Sequence, residues 1–211
     1  MRRLPLALWS TAALCLFGAM AGEAQKPSLE AVAPTWFEIA ADAIYETGDA
    51  WIVGRTRYQL YGVQSCLRGT SFTNAGGFRR DCGEASLAVL ASLVRDLKPL
   101  CHPAALRPDK KTTFVFCFAT IADGPAKGSR IDIGTALIAM GWAYAALGPE
   151  GRPIHPPYLA AQHLAANARA GLWAFADVID PNILILRAYA GAQAAPRAPQ
   201  APLNPLADPA R

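Results

Sequence analysis

The sequence predicts an α+β domain, and three observations carry that expectation. Runs rich in β-branched and aromatic residues, Trp51-Ile52-Val53 and Tyr58-Gln59-Leu60-Tyr61, read as strands, with turns at Gly48 and Gly54. After Asp81, the apolar residues Leu87, Leu90, Val94 and Leu97 recur at three- and four-residue steps, the period of an amphipathic helix. Thr113-Phe114-Val115-Phe116-Cys117-Phe118 is a continuous apolar run of the length expected for a buried strand, and two helical segments follow it. Strands, one helix, two strands and two helices in that order describe an α+β chain.

The first 24 residues stand apart from that domain. Arg2 and Arg3 precede an apolar stretch from Leu4 to Met20, and small residues follow at Ala19, Ala21, Gly22 and Ala24. This is the pattern of a secretory signal peptide cleaved after Ala21 or Ala24. At about 17 residues, with Trp9, Ser10 and Thr11 inside, the stretch is short for a membrane span. Leu14 directly before Cys15 does not suit a lipoprotein cleavage site. The chain is therefore expected to be secreted or periplasmic, with no membrane attachment after cleavage.

Residues 25–35 are polar with two prolines and read as an extended lead-in to a domain over residues 36–186. Within it, Asp81 suits the N-cap of the first helix. Pro99-Leu100-Cys101 and Thr112 to Ala119 are strands, and Asp132 to Met140 is a second helix that Gly141 ends. Pro157 opens a third helix from its favoured first turn, running to about Arg169 and stopped by Gly171. Residues 187–211 collapse to alanine and proline and are expected to be disordered.

Without the leader, four cysteines remain: Cys66, Cys82, Cys101 and Cys117. An even count in an exported chain implies two disulfides, with three pairings open. No two of them stand at a C-x-x-C spacing, and His102, His155 and His163 show no ligand spacing, so a zinc site has no support. The formal charge of +4 falls by one when Arg2, Arg3 and Glu23 leave with the leader. That balance permits a nucleic-acid partner without requiring one.

Five landmarks then appear in order. The stretch 47–63, TGDAWIVGRTRYQLYGV, is followed by Cys82-Gly83, by Phe114-Val115-Phe116-Cys117, by Ile131-Asp132 through Leu137 to Gly141-Trp142-Ala143-Tyr144, and by Tyr158 through Gly171-Leu172-Trp173-Ala174. Together these resemble the thermonuclease (staphylococcal-nuclease-like) family over roughly Ala41 to Ala174. The resemblance implies an OB-fold five-stranded β-barrel with three packed helices. It also implies the pairing Cys66–Cys82 and Cys101–Cys117: the first ties the loop after Gly62 to a helix start, the second joins neighbouring barrel strands.

In that family two aspartates and a backbone oxygen hold a calcium ion on the scissile phosphate. A glutamate activates or orients the attacking water, and two arginines bind the phosphate. Carried over residue by residue, the first calcium aspartate is Asp49, which is retained, while the other acid of the same turn is Thr47. The first arginine falls on Gln59, the second metal aspartate on Gln64, the glutamate near Leu67 and the second arginine near Thr112. No aspartate or glutamate occurs between Asp49 and Asp81, so no small shift of register restores the missing carboxylates. A site with one carboxylate binds calcium weakly.

The expectation is therefore an exported nuclease-like pseudoenzyme without a cofactor, acting as a monomeric binding or scaffolding module. Calcium enters only if some activity remains. The competing reading is a divergent phosphodiesterase acting on DNA or RNA around Asp49, with Glu46 or Asp42 as the nearest upstream acids. Asp49 beside Gly48 also suits an ordinary turn residue. Arg55, Arg57, Arg68, Arg79 and Arg80 read either as a face for nucleic acid or acidic polysaccharide or as solvated surface. Arg107, Lys110 and Lys111 are the cations nearest the lost second arginine. The Gly-, Ser- and Thr-rich segment from Leu67 to Arg80 is either a remodelled binding loop or padding. Trp142 and Trp173 read as core, and Gln162 stands where the resemblance expects a structural glutamate.

Overall fold

A computed structural model describes residues 35–106 and 111–194. The leader, most of the lead-in, Arg107, Lys110 and the chain after Ala194 lie outside the described residues. The chain is α+β, with a curled sheet and four α-helices among the described residues. Its first strands are β1 (Phe37–Glu38), β2 (Ile44–Thr47), β3 (Ala50–Val53), β4 (Thr56–Leu60) and β5 (Val63–Ser65). A hairpin of β6 (Ser71–Thr73) and β7 (Arg79–Asp81) leads into helix α1 (Cys82–Leu97). Then come β8 (Leu100–Leu106), β9 (Thr112–Thr120), β10 (Arg130–Asp132), α2 (Ile133–Ala139), β11 (Ala143–Ala145), α3 (Pro157–Asn167) and α4 (Pro181–Ala194).

The strands β2, β3 and β4 form a meander through two-residue turns at Gly48-Asp49 and Gly54-Arg55. Strand β4 then pairs in parallel with β9, a geometry that needs the long crossover supplied by the segment carrying α1. The main sheet runs β1-β8-β9-β4-β3-β2, with β10 also on β9. The expectation is an OB-type barrel of five strands, and the strand count differs from it. The sheet has seven strands, and its hydrogen-bonded path does not close among the described residues.

Helix α1 starts where its cap predicts: the Asp81 carboxylate accepts from the Glu84 N–H at 2.9 Å and from the Gly69 N–H at 2.7 Å. Burial pushes the Asp81 carboxyl up, but the backbone N–H groups of Glu84, Gly69 and Gly83, with the Arg68 charge, outweigh it and hold it below the usual range. The buried face of α1 carries Leu90 and Val94, which join Trp51, Leu60, Val115 and Leu137 in the main core. A second cluster gathers Cys66, Phe72, Cys82, Tyr144 and Leu172, with Trp142 and Trp173 packed against it. Both tryptophans are core, as their apolar settings predict.

Strand β9 departs from the expectation of a fully buried run. Val115, Cys117 and Ala119 face the core, while Phe114, Phe116 and Phe118 point to the other side and are half-buried. Other rings cover them. Tyr61 lies 5.3 Å from Phe116, His155 5.3 Å from Phe116 and His102 5.9 Å from Phe116, centroid to centroid. Aromatic contacts thus let a strand with one core face read as continuously apolar.

The helical count also changes. Gly171–Ala174 forms a separate 3₁₀ turn after α3, because Arg169 (φ 51°) and Gly171 (φ 53°) leave the right-handed helical region. Helix α4 then crosses the expected boundary at Arg187 and continues to Ala194. Asn182 anchors it: its amide donates to the Ala145 carbonyl at 3.1 Å and accepts from the Leu147 N–H at 3.1 Å. The alanine-rich stretch beyond Arg187 is a strong helix former once nucleated, which its low complexity hides.

The cysteines pair Cys66–Cys82 and Cys101–Cys117, with Cα separations of 5.6 Å and 4.0 Å. Cys101 and Cys117 stand directly opposite in the β8/β9 register, and Cys66 and Cys82 join the segment after β5 to the start of α1. Two closed disulfides fit an oxidising, non-cytoplasmic compartment. Among the described residues no helix is long and apolar enough to cross a membrane. Replacing Cys101 and Cys117 together by alanine is expected to cost about 3 kcal/mol, since the bond closes a loop of 16-residue separation in the unfolded chain. Urea unfolding of the double variant checks this. An unchanged midpoint would mean that the link constrains nothing.

Candidate functional site

Asp49 sits in the two-residue turn between β2 and β3, yet it is only 2% exposed. The turn is drawn inward. Gly48 lies against Ser86 so closely that a Cβ there would approach the Ser86 Cβ to 2.6 Å, and the Asp49 carbonyl accepts from the Leu60 N–H at 2.8 Å. The buried carboxylate then meets three uncharged donors. Oδ1 accepts from the Thr47 hydroxyl at 2.6 Å and the Ser65 hydroxyl at 2.8 Å, and Oδ2 accepts from Gln59 Nε2 at 2.9 Å.

The network continues outward from Gln59. Its Oε1 accepts from an Arg57 guanidinium nitrogen at 3.0 Å, which leaves the amide nitrogen to face Asp49. Arg57 Nε in turn donates to Glu46 Oε2 at 2.6 Å, an ion pair at a half-buried position. The order is Glu46, Arg57, Gln59, Asp49, with one carboxylate at each end. The strand pairing explains the alignment: Ala50 stands opposite Gln59 and Ile52 opposite Arg57, so both long side chains of β4 flank the turn.

The other expected positions are placed as follows. Thr112 is buried and stands opposite Arg57 in the parallel β4/β9 pairing. Gln64 lies on β5 opposite Tyr144, and its amide donates to the Ser65 carbonyl at 2.8 Å rather than to Asp49. Arg68 Nε donates to the Glu46 carbonyl at 3.2 Å, so Arg57 and Arg68 meet on one residue. Arg79 donates to the Ser71 hydroxyl at 2.6 Å within the hairpin. Arg55 is exposed in the β3–β4 turn and Arg80 on β7, and neither is linked by a hydrogen bond or ion pair to the Asp49 network.

The segment from Leu67 to Arg80 is a folded hairpin. Phe72 is buried against Phe175, and Thr73 donates through both its N–H (2.9 Å) and its hydroxyl (2.8 Å) to Asp177. Gln162 keeps the acceptor role of the glutamate that the resemblance expects: its Oε1 takes the Ala145 N–H at 2.7 Å, fixing α3 to β11.

Calcium takes six to eight oxygen ligands, several of them anionic. Here the one carboxylate at the turn already accepts three hydrogen bonds, and Gln64 stands where the resemblance expects the second metal aspartate. Among the described residues no group of three or more His, Cys, Asp or Glu side chains is placed to hold a metal ion. These residues do not fit the ion. Sequence reasoning identified Asp49, Gln59 and Thr47 at the turn but missed Ser65, whose role depends on β5 crossing beneath it. It also named Glu46 only as a nearby upstream acid; its bond to Arg57 joins β2 to β4 across the intervening β3, a relation no spacing in the sequence reports. Compared with known proteins, the sequence matches no protein-family model and no curated protein.

Proposed function

We propose that this chain is an exported thermonuclease-like module of the OB type that no longer cleaves phosphodiesters and acts as a binding or scaffolding protein. The observation that carries the reading is the saturation of Asp49 by Thr47, Ser65 and Gln59. A carboxylate that accepts three neutral donors in a buried turn has its oxygens engaged in hydrogen bonds rather than presented to a metal. The order β2-β3-β4-β9-β8, with one parallel contact, supports the OB-type reading, since such barrels are partly open. The leader pattern and the two disulfides support export.

The arginines divide on this reading. Arg57 is structural, held between Glu46 and Gln59. Arg55, Arg68, Arg79 and Arg80 are exposed and are the residues left to attract a polyanion, either single-stranded nucleic acid or an acidic polysaccharide. Such contacts release counterions, so affinity falls steeply with salt.

The decisive experiment is a cleavage assay on the purified chain with single-stranded DNA, duplex DNA and RNA, in calcium and in chelator. No calcium-stimulated turnover is expected on any substrate. Cleavage that vanishes with chelator and in Asp49→Ala would establish the competing phosphodiesterase reading and end this one.

A further inference from the structure

Away from Asp49, a cavity of about 560 Å³ opens between the β1–β2 connection and the C-terminal half of α1. Its size falls in the range of small-molecule sites, and Ile39, Ala91 and Val94 give it an apolar floor. Three polar residues also line it: Tyr45, Lys98 and Glu38. None of the three makes a side-chain hydrogen bond or ion pair with another described residue. Arg95, the other cation on its wall, is already held by Asp96 at 2.8 Å.

We infer that this cavity binds a small monocarboxylate with an apolar body. The floor takes the body by excluding water, and the carboxylate accepts from the Tyr45 hydroxyl and the Lys98 ammonium. Burial pushes the Tyr45 phenol above its ordinary value, so it remains a protonated donor throughout the neutral range. Glu38 restricts the class. Its negative charge in the lining opposes a second anionic group, which disfavours dicarboxylates and phosphate monoesters.

Lys98 adds an independent observation. It ends α1 in the left-handed region, at φ 46° and ψ 59°, where glycine is the usual occupant because it has no Cβ. The residue in that strained conformation is a lysine, and it lines the cavity. Strained backbone beside a cavity is a pointer to function, and here the lysine side chain is what glycine would remove.

That conformation also supplies a clean test. Lys98→Gly deletes the ammonium without disturbing the backbone, so the variant is expected to be at least as heat-stable as the parent. The probe is 2-naphthoate, titrated into the purified chain by calorimetry, with 2-naphthamide as neutral isostere and naphthalene-2,6-dicarboxylate as dianion. Saturable binding of 2-naphthoate is expected, weakened about tenfold by Lys98→Gly and to a similar degree for 2-naphthamide. Tyr45→Phe should weaken it about fivefold. The dianion should bind worse than 2-naphthoate to the parent and recover in Glu38→Gln. A lysine that served only the helix dipole would leave the 2-naphthoate affinity unchanged in Lys98→Gly, and that result overturns the inference. So does equal binding of 2-naphthamide, or no saturation up to about 1 mM. Polyanion binding through the arginines does not enter any of these readouts.

Discussion

Asp49→Ala is expected to lower the stability of the folded chain by about 4 kcal/mol. The carboxylate is 2% exposed, and its removal strands the Ser65 hydroxyl, itself 1% exposed, together with the Thr47 hydroxyl and the Gln59 amide. A buried donor without a partner costs about 1–3 kcal/mol, and charge-assisted bonds stand at the upper end of that range. Thr47 and Gln59 are only half-buried and recover part of the loss by turning to water, which keeps the total below the simple sum. Asp49→Asn should cost less, about 2 kcal/mol, because one oxygen survives while the new NH₂ group faces a donor. Urea unfolding of both variants measures this. A functional metal site predicts the opposite pair of results: removal of a lone metal ligand is nearly neutral for the apo chain, and added calcium raises the melting temperature of the parent through linkage. A parent melting temperature that climbs with calcium and an unaffected Asp49→Ala would falsify the hydrogen-bonded assignment.

The features legible in the sequence are those whose physics is local. Asp81 caps α1 and Asp132 caps α2 because each carboxylate reaches an N–H three residues on, a relation fixed by spacing alone. The turns at Gly48 and Gly54 set the meander for the same reason. The site was half legible. Thr47, Asp49 and Gln59 are brought together by the two successive hairpins of the β2–β3–β4 meander, whereas Ser65 arrives from β5, which pairs with β11 nearly eighty positions later. No periodicity reports such a contact. Helix α4 was hidden by composition: an alanine-rich stretch carries high helix propensity and little to pack, and what decides its fate is the anchor at Asn182, a tertiary interaction. The β6–β7 hairpin was hidden likewise, since its glycines and hydroxyls read as a loop while Phe72 and the Thr73–Asp177 bonds fix it from outside.

Gly141→Ala is expected to destabilise the chain by about 4 kcal/mol, the sum of left-handed strain and a backbone collision. Gly141 ends α2 at φ 75°, and a Cβ there would overlap the Ala170 carbonyl oxygen and come within 2.6 Å of its carbon. Neither atom can move freely, because the Leu172 N–H donates to the Gly141 carbonyl at 2.9 Å and Leu172 is fully buried. Gly54→Ala isolates the two contributions: its φ is 60°, but an added Cβ meets nothing within 4 Å, so only the strain of about 1–2 kcal/mol applies. Comparing the two variants by thermal unfolding, with the emission of Trp142 and Trp173 as a local readout, gives the difference that close packing makes. Equal losses would mean that the α2 end and the 3₁₀ turn are not in contact. The expected inequality also reaches the site. Residue 141 leads directly into β11, β11 holds β5 in register, and β5 carries the Ser65 hydroxyl to Asp49. A methyl group at position 141 therefore acts on the Asp49 network through two strands, without touching any residue of it.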